Sequence, residues 1–345
     1  MTRVDDAIQV NPVEGSAEPV SELTQALEPM PGDTFEISQA KHILGNLLSP
    51  LQSLIAGDTT EIMINTCNNI WVEDGQGMHK VPATLDSGAL ETAIVAIGRL
   101  SDVDAGADHP IVDARIGARL RVGAVLPPAA AEGPTLCIRR HRPIQAHLGM
   151  YGVAGEVALG LLQEGVNILV AGSTGSGKTT FVNALLAALS ASDRLLVLED
   201  TPELDVRSPN HVRLEARAGA DMGALLRQTL RQRPDRIVLG EVRGHEAYEL
   251  LQAFNTGHGG SFSTIHAGNP QGALMRMASL IGQADEARSW PQSAIRAAIA
   301  ESVGAVVCLK HREVTDIVRV VGMIPDGHFD LKDVLTPSVD SPDKG

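Results

Sequence analysis

Only three cysteines occur in the 345-residue chain, Cys67, Cys137 and Cys308, far apart and with no C-x-x-C pair. That scarcity excludes a disulfide framework, argues against a zinc site and fits a reducing compartment. No apolar run approaches the length needed to span a bilayer. The start, Met1-Thr2-Arg3-Val4-Asp5-Asp6, lacks the basic and apolar regions of a secretory signal, so a cytoplasmic location is expected. Positive charge is also scarce: 28 Lys and Arg face 42 Asp and Glu, for a formal net charge of −14. Without a basic stripe, no strong direct binding of nucleic acid is expected. Internal repeats are absent too.

What is present describes an ordinary globular protein, 43% hydrophobic and 20% charged, long enough for two domains with separate cores. Half of the net negative charge sits in residues 1–36, where Arg3 faces eight acidic residues. Residues 1–34 are rich in Pro, Glu, Ser and Gly and read as a disordered acidic arm, with a short helix near Ser21–Leu27. From Phe35 the apolar spacing turns helical, with Pro50 breaking the run. Strand-like pieces at 61–65, 70–73 and 78–83 precede a helix at 88–100 and strands at 111–116, 119–126 and 135–140. Residues 35–141 therefore read as an N-terminal α+β domain. A linker at 142–155 leads to residues 156–330, where helix and strand alternate. That pattern predicts a parallel sheet with helices on both faces. Residues 331–345 read as a polar tail.

The stretch 167–180 organises this second domain. Ile168 to Ala171 is a buried-strand pattern, Gly172-Ser173-Thr174-Gly175-Ser176-Gly177 is a loop, and Lys178-Thr179-Thr180 opens a helix. This is G-x-x-x-x-G-K-[ST] in a strand–loop–helix setting. Glycines let the backbone wrap phosphate oxygens, and the helix N-terminus supplies a positive field. Lys178 would reach the β/γ-phosphates, and the Thr179 hydroxyl would ligate Mg²⁺.

Hydrolysis needs more than phosphate binding: a carboxylate to orient water and cations for developing charge. One apolar strand ends in Glu199-Asp200-Thr201-Pro202-Glu203, and another, Arg236-Ile237-Val238-Leu239, ends in Gly240-Glu241-Val242-Arg243-Gly244. Carboxylates at strand carboxyl ends lie where open α/β sheets bind ligands. Singly, each could equally be a helix cap or a surface acid. Glu241 stands at the position that holds Mg²⁺ directly or through water. Thr264 and His266, ending a third strand, could sense the γ-phosphate, although a lone histidine is as often structural. Arg115, Arg119, Arg121, Arg139, Arg140 and Arg142 gather in the first domain. They form either a phosphate clamp or a solvated basic edge.

At these residues the chain resembles the secretion ATPases of the type II/type IV superfamily, which also drive pili and conjugation. Gly172–Thr179 resembles its Walker A, Glu199–Glu203 its Asp box, Arg231–Gly244 its Walker B and Gly257–Gly268 its His box. The run Glu61–Asn65, then Ile70–Glu73, together with Leu225–Leu230, is similar to the TrbB-type conjugal-transfer members. The resemblance spans roughly residues 40–330. It implies a RecA-like P-loop ATPase domain in a homohexameric ring, with ATP between the N-terminal and RecA-like domains. It makes Glu199 the candidate general base, Glu241 the Mg²⁺-side acid, and Arg121, Arg139 and Arg140 candidate phosphate ligands. The implied function is an ATP-hydrolysing motor for a conjugative type IV secretion system, working with inner-membrane components and peripheral to that membrane. A motor for pilus assembly or retraction and a DNA-translocating ring are the alternatives. The four-cysteine metal motif of type II members is absent, and the acidic arm has no counterpart in the family.

Overall fold

The computed structural model describes residues 26–28, 33–52, 54–55, 58–101, 103–117, 119–140, 145–217, 219–257 and 259–335. Internal contacts divide the chain into two units, Met1–Arg142 and Pro143–Gly345.

The first unit begins with helix α1 (Phe35–Leu47), whose N-cap Thr34 accepts a hydrogen bond from the Ile37 amide at 3.3 Å. A short helix, α2 (Ser49–Gln52), follows, with Pro50 inside its first turn. Strands β1 (Glu61–Thr66), β2 (Asn69–Asp74) and β3 (Gly77–Val81) come next, then helix α3 (Ser87–Leu100), capped by Asp86. Strands β4 (Ile111–Ile116), β5 (Leu120–Val125) and β6 (Thr135–Arg140) complete an antiparallel sheet of order β3-β2-β1-β6-β5-β4. Period-two alternation sends Ile62, Ile64, Ile70, Val72, Val122 and Ile138 into one core with the buried stripe of α3. Most of the arm, including the expected helix from Ser21, lies outside the described residues. Its last residues do not follow the expectation of disorder: Leu27 is buried in this core and Asp33 pairs with Lys41 at 2.8 Å. Local composition suggested a tail, but Leu27 gains more from burial in the core than from solvent.

The second unit starts earlier than its apolar pattern suggests. Ala146 and Leu148 are buried in its core, and helix α4 runs Val153–Gln163, so the expected linker at 142–155 is largely structured. Then come β7 (Ile168–Gly172), α5 (Lys178–Ala187), β8 (Leu195–Glu199), β9 (His211–Glu215), α6 (Met222–Thr229) and β10 (Arg236–Val242). They are followed by α7 (Ala247–Asn255), β11 (Phe262–Ile265), α8 (Pro270–Ile281) and α9 (Gln292–Ser302). Strands β12 (Ala305–Lys310), β13 (Glu313–Met323) and β14 (Phe329–Asp333) close the unit.

The sheet order is β14-β13-β12-β7-β11-β10-β8-β9. Six strands, β12 through β9, are parallel, but β13 and β14 join antiparallel, so the sheet is mixed rather than wholly parallel. The reason is connection length. A two-residue turn from β12 can only reverse the chain, whereas a parallel partner needs a crossover. Central strands are buried on both faces: Ile168 and Val170 face one core, Leu169 and Ala171 the other. Strand β14 also takes residues 331–333 out of the expected polar tail.

Candidate active site

Every residue of β7 is buried, and Gly172 ends it where added bulk has no room. A Cβ there would lie 2.3 Å from Ser176 Oγ and 2.8 Å from Leu309 O. The loop turns through Gly175 and Gly177, at φ 72° and 98°, a region that side chains disfavour. Gly177 caps α5 without a side chain, so the first helical amides have no side-chain acceptor and point at the loop. Lys178 folds back and donates to the Gly172 and Ser173 carbonyls at 2.9 and 2.8 Å. Burial lowers its pKa, Glu241 raises it and Arg243 lowers it again. Thr179 and Thr180 follow on the first turn, half-buried, while Ser173, Thr174 and Gly175 are exposed.

Glu241 lies opposite, near the end of β10. Arg243 grips its Oε2 with Nε and Nη2 at 2.9 and 2.6 Å, and reaches Asp200 at 3.1 Å. His266 Nε2 stands 2.7 Å from the other oxygen, Oε1, without hydrogen-bond alignment. Oε1 is thus a buried carboxylate oxygen that no donor satisfies, which fits a site for a cation or a polarised water. Among the described residues no group of three or more His, Cys, Asp and Glu could hold a metal ion. Burial, then Lys178, lowers the His266 pKa, while Glu241 pulls it up.

Glu199 ends the neighbouring strand and is differently placed. Its Oε1 accepts from the Glu203 and Leu204 amides at 2.7 and 2.9 Å, and its Oε2 takes Arg213 at 3.0 Å. It can pack there because Gly240 has no side chain: a Cβ would stand 3.1 Å from Glu199 Cγ. Thr264 binds the Gly240 carbonyl at 2.6 Å and so ties β11 to the same strand end. Lys178, Glu241, His266, Arg243 and Asp200 therefore form one charged group, with Glu199 beside it. His258 lies outside the described residues.

Arg121, Arg139 and Arg140 belong to the first unit and form a group of their own. Register places Arg115 opposite Arg121 and Arg121 opposite Arg139, a row across three strands. Arg121 pairs with Asp113 at 2.8 Å. Arg140 faces the other way, opposite Leu120, and Arg119 sits in the turn before β5 rather than on the strand with Arg121. The sequence did not single out Arg243 or Gly240 as parts of this site. The signal for both was the spacing after an apolar strand, which places them at its carboxyl end.

The Type II/IV secretion system protein family matches residues 46–323. A Mycobacterium tuberculosis protein whose name refers to conjugal transfer is 37% identical over 277 residues, covering 73% of this chain and 78% of its own. The conjugal transfer protein TrbB of Rhizobium radiobacter is 34% identical, covering 76% of this chain and 84% of its own. The crystal structure of the pilus retraction motor PilT with bound ADP superposes with a TM-score of 0.57 at 18% identity. It covers 83% of this chain and 82% of PilT, a likeness of fold.

Proposed function

The chain belongs to the Type II/IV secretion system protein family, and on that footing we propose that it hydrolyses ATP to drive a conjugative type IV secretion apparatus. The observation that carries the reading is the phosphate loop between a buried strand and an uncapped helix, with Lys178 spanning its carbonyls. An arriving triphosphate offers that ammonium better acceptors than Gly172 O and Ser173 O. The amides of residues 173–178 and the side chains of Thr179 and Thr180 complete the cradle.

Thr179 and Glu241 are the residues that would hold Mg²⁺, which supplies charge neutralisation on the β- and γ-phosphates. Glu241 would support the cation and its water with the Oε1 that no donor satisfies. Glu199 is assigned the general-base role, with Oε1 taken up by the Glu203 and Leu204 amides and Oε2, which accepts only from Arg213, the oxygen with a lone pair to spare. His266 is assigned to register the γ-phosphate, a reading that its approach to Glu241 supports. Arg121, Arg139 and Arg140 stay assigned to phosphate on the family resemblance. A homohexamer bound to inner-membrane components completes the proposal. Relatives named for conjugal transfer favour this machine over a pilus motor, and a net charge of −14 disfavours a ring that grips DNA.

The test is plasmid transfer from cells lacking this protein, complemented with wild type or Lys178→Ala, alongside phosphate release by both purified proteins. Transfer and turnover with wild type alone are expected. Full turnover in Lys178→Ala would overturn the loop assignment, and unaffected transfer on deletion would overturn the conjugation role.

A further inference from the structure

We infer that Arg312, on the turn between β12 and β13, is a further nucleotide-contacting residue and that it takes the nucleoside end of the substrate. The inference rests on the ATPase reading above. Lys310 pairs with Glu313, which leaves His311 and Arg312 as the whole turn. Both are left-handed, at φ 50° and 68°. A two-residue turn of this hand is normally built from Asn-Gly or Gly-Gly, because positive φ at both places crowds a side chain. Two bulky residues hold it here, and backbone strain of this kind persists only where its surroundings fix it.

The surroundings are the phosphate loop itself. Arg312 N donates to Ser176 O at 3.0 Å. A Cβ built on Gly177 would stand 3.1 Å from Arg312 Cα and 3.6 Å from its Cγ, so the arginine stem lies over the last glycine of the loop. At the other end of the loop, Leu309 pairs with Gly172. The guanidinium is exposed and makes no ion pair among the described residues. A permanent cation has thus been carried, through a strained turn, to the rim of an anion site.

Sheet order says which part of the nucleotide it would meet. β7 lies between β12 and β11, with β10 beyond β11. Glu241 and His266 stand on the β11–β10 flank, and Arg312 on the β12 flank. A triphosphate whose γ end points to Glu241 must send its ribose and base the other way. A guanidinium there can stack on the base, since its plane and weak hydration suit an aromatic face.

Isothermal titration of the full-length protein with Mg²⁺-ADP and with Mg²⁺-tripolyphosphate separates the nucleoside from the phosphates. Arg312→Ala should weaken ADP binding roughly five- to tenfold, with a parallel rise in KM for ATP, and leave tripolyphosphate affinity within about twofold. Arg312→Gly keeps the main-chain donor and relieves the turn, and it should lose the same ADP affinity. Unchanged ADP binding in both variants would overturn the assignment. So would an equal loss for tripolyphosphate, which would make Arg312 a support for the loop. A wild-type protein that bound neither ADP nor tripolyphosphate would instead overturn the ATPase reading and this inference with it.

Discussion

Asn167, the residue before the phosphate-loop strand, offers a measurable test of how that strand is anchored. Its side chain is buried and makes three hydrogen bonds. Nδ2 donates to the carbonyls of Phe254 and Ser302 at 3.1 and 3.0 Å, and Oδ1 accepts from the Ser261 amide at 3.1 Å. One amide group thereby joins the ends of α7 and α9 and the approach to β11 to the start of β7. Each such bond contributes about 1 kcal/mol net, so Asn167→Ala should cost about 3 kcal/mol. In a unit of this size about 1 kcal/mol moves the melting temperature by about 2–4 °C, which predicts a loss of about 6–12 °C.

Trp290 makes the assay specific, because it stacks edge-on against Tyr248 of α7 with centroids 6.0 Å apart. The chain has two tryptophans, so a Trp71→Phe background leaves Trp290 as sole reporter. Asn167→Asp should be at least as damaging, since it keeps the acceptor but offers nothing to two carbonyls. A loss below about 2 °C for Asn167→Ala would refute the reasoning, because it would mean that the three partners find other donors and acceptors at little cost.

Two further outcomes follow from buried groups. Burial holds the Glu199 carboxyl above its ordinary 4.5, against the Glu203 and Leu204 amides and Arg213. A raised folded value favours folding fully below 4.5 and loses that contribution as pH climbs through it. Wild type should therefore lose melting temperature relative to Glu199→Gln as pH rises from 4.5, and a pH-independent gap would contradict this. Cys308 is buried in β12 and its thiol is pushed up to about 12, so a thiol reagent near neutral pH should leave it unmodified while partly exposed Cys67 reacts. Mass mapping that finds Cys308 labelled in the native protein would contradict the burial.

The strand, glycine-rich loop and helix around residues 168–187 were legible in the sequence because their geometry is local: a buried strand, six loop residues with positive φ at Gly175 and Gly177, and a helix that opens at Lys178. Glu199 and Glu241 were legible as carboxylates following apolar strands, but not their difference. Which oxygen is satisfied depends on Arg243, close to Glu241 in the chain, and on Arg213, which only the pairing of β9 with β8 brings beside Glu199. The arginine row in the first unit needed strand register, which sets Arg115, Arg121 and Arg139 side by side across three strands. β9 went unread as a strand because His211-Val212-Arg213-Leu214-Glu215 is a half-polar edge segment. The turn at Arg312 was silent for the opposite reason: it lacks the Asn and Gly that usually announce one.

The parallel run of β12, β7, β11, β10, β8 and β9 has a consequence for how such a fold can diversify. The amino ends of its strands carry Asn167 and the pair Arg236–Asp193, joined at 2.7 Å, with Arg236 also bound to Gly260 O. The carboxyl ends carry the loop, Glu199, Glu241 and His266. The groups that tie the elements together and the candidate site thus occupy opposite rims of one sheet. Loops on the rim that carries Glu199, Glu241 and His266 can be rewritten while the other rim keeps the protein foldable, so inherited change need not pass through unfoldable intermediates.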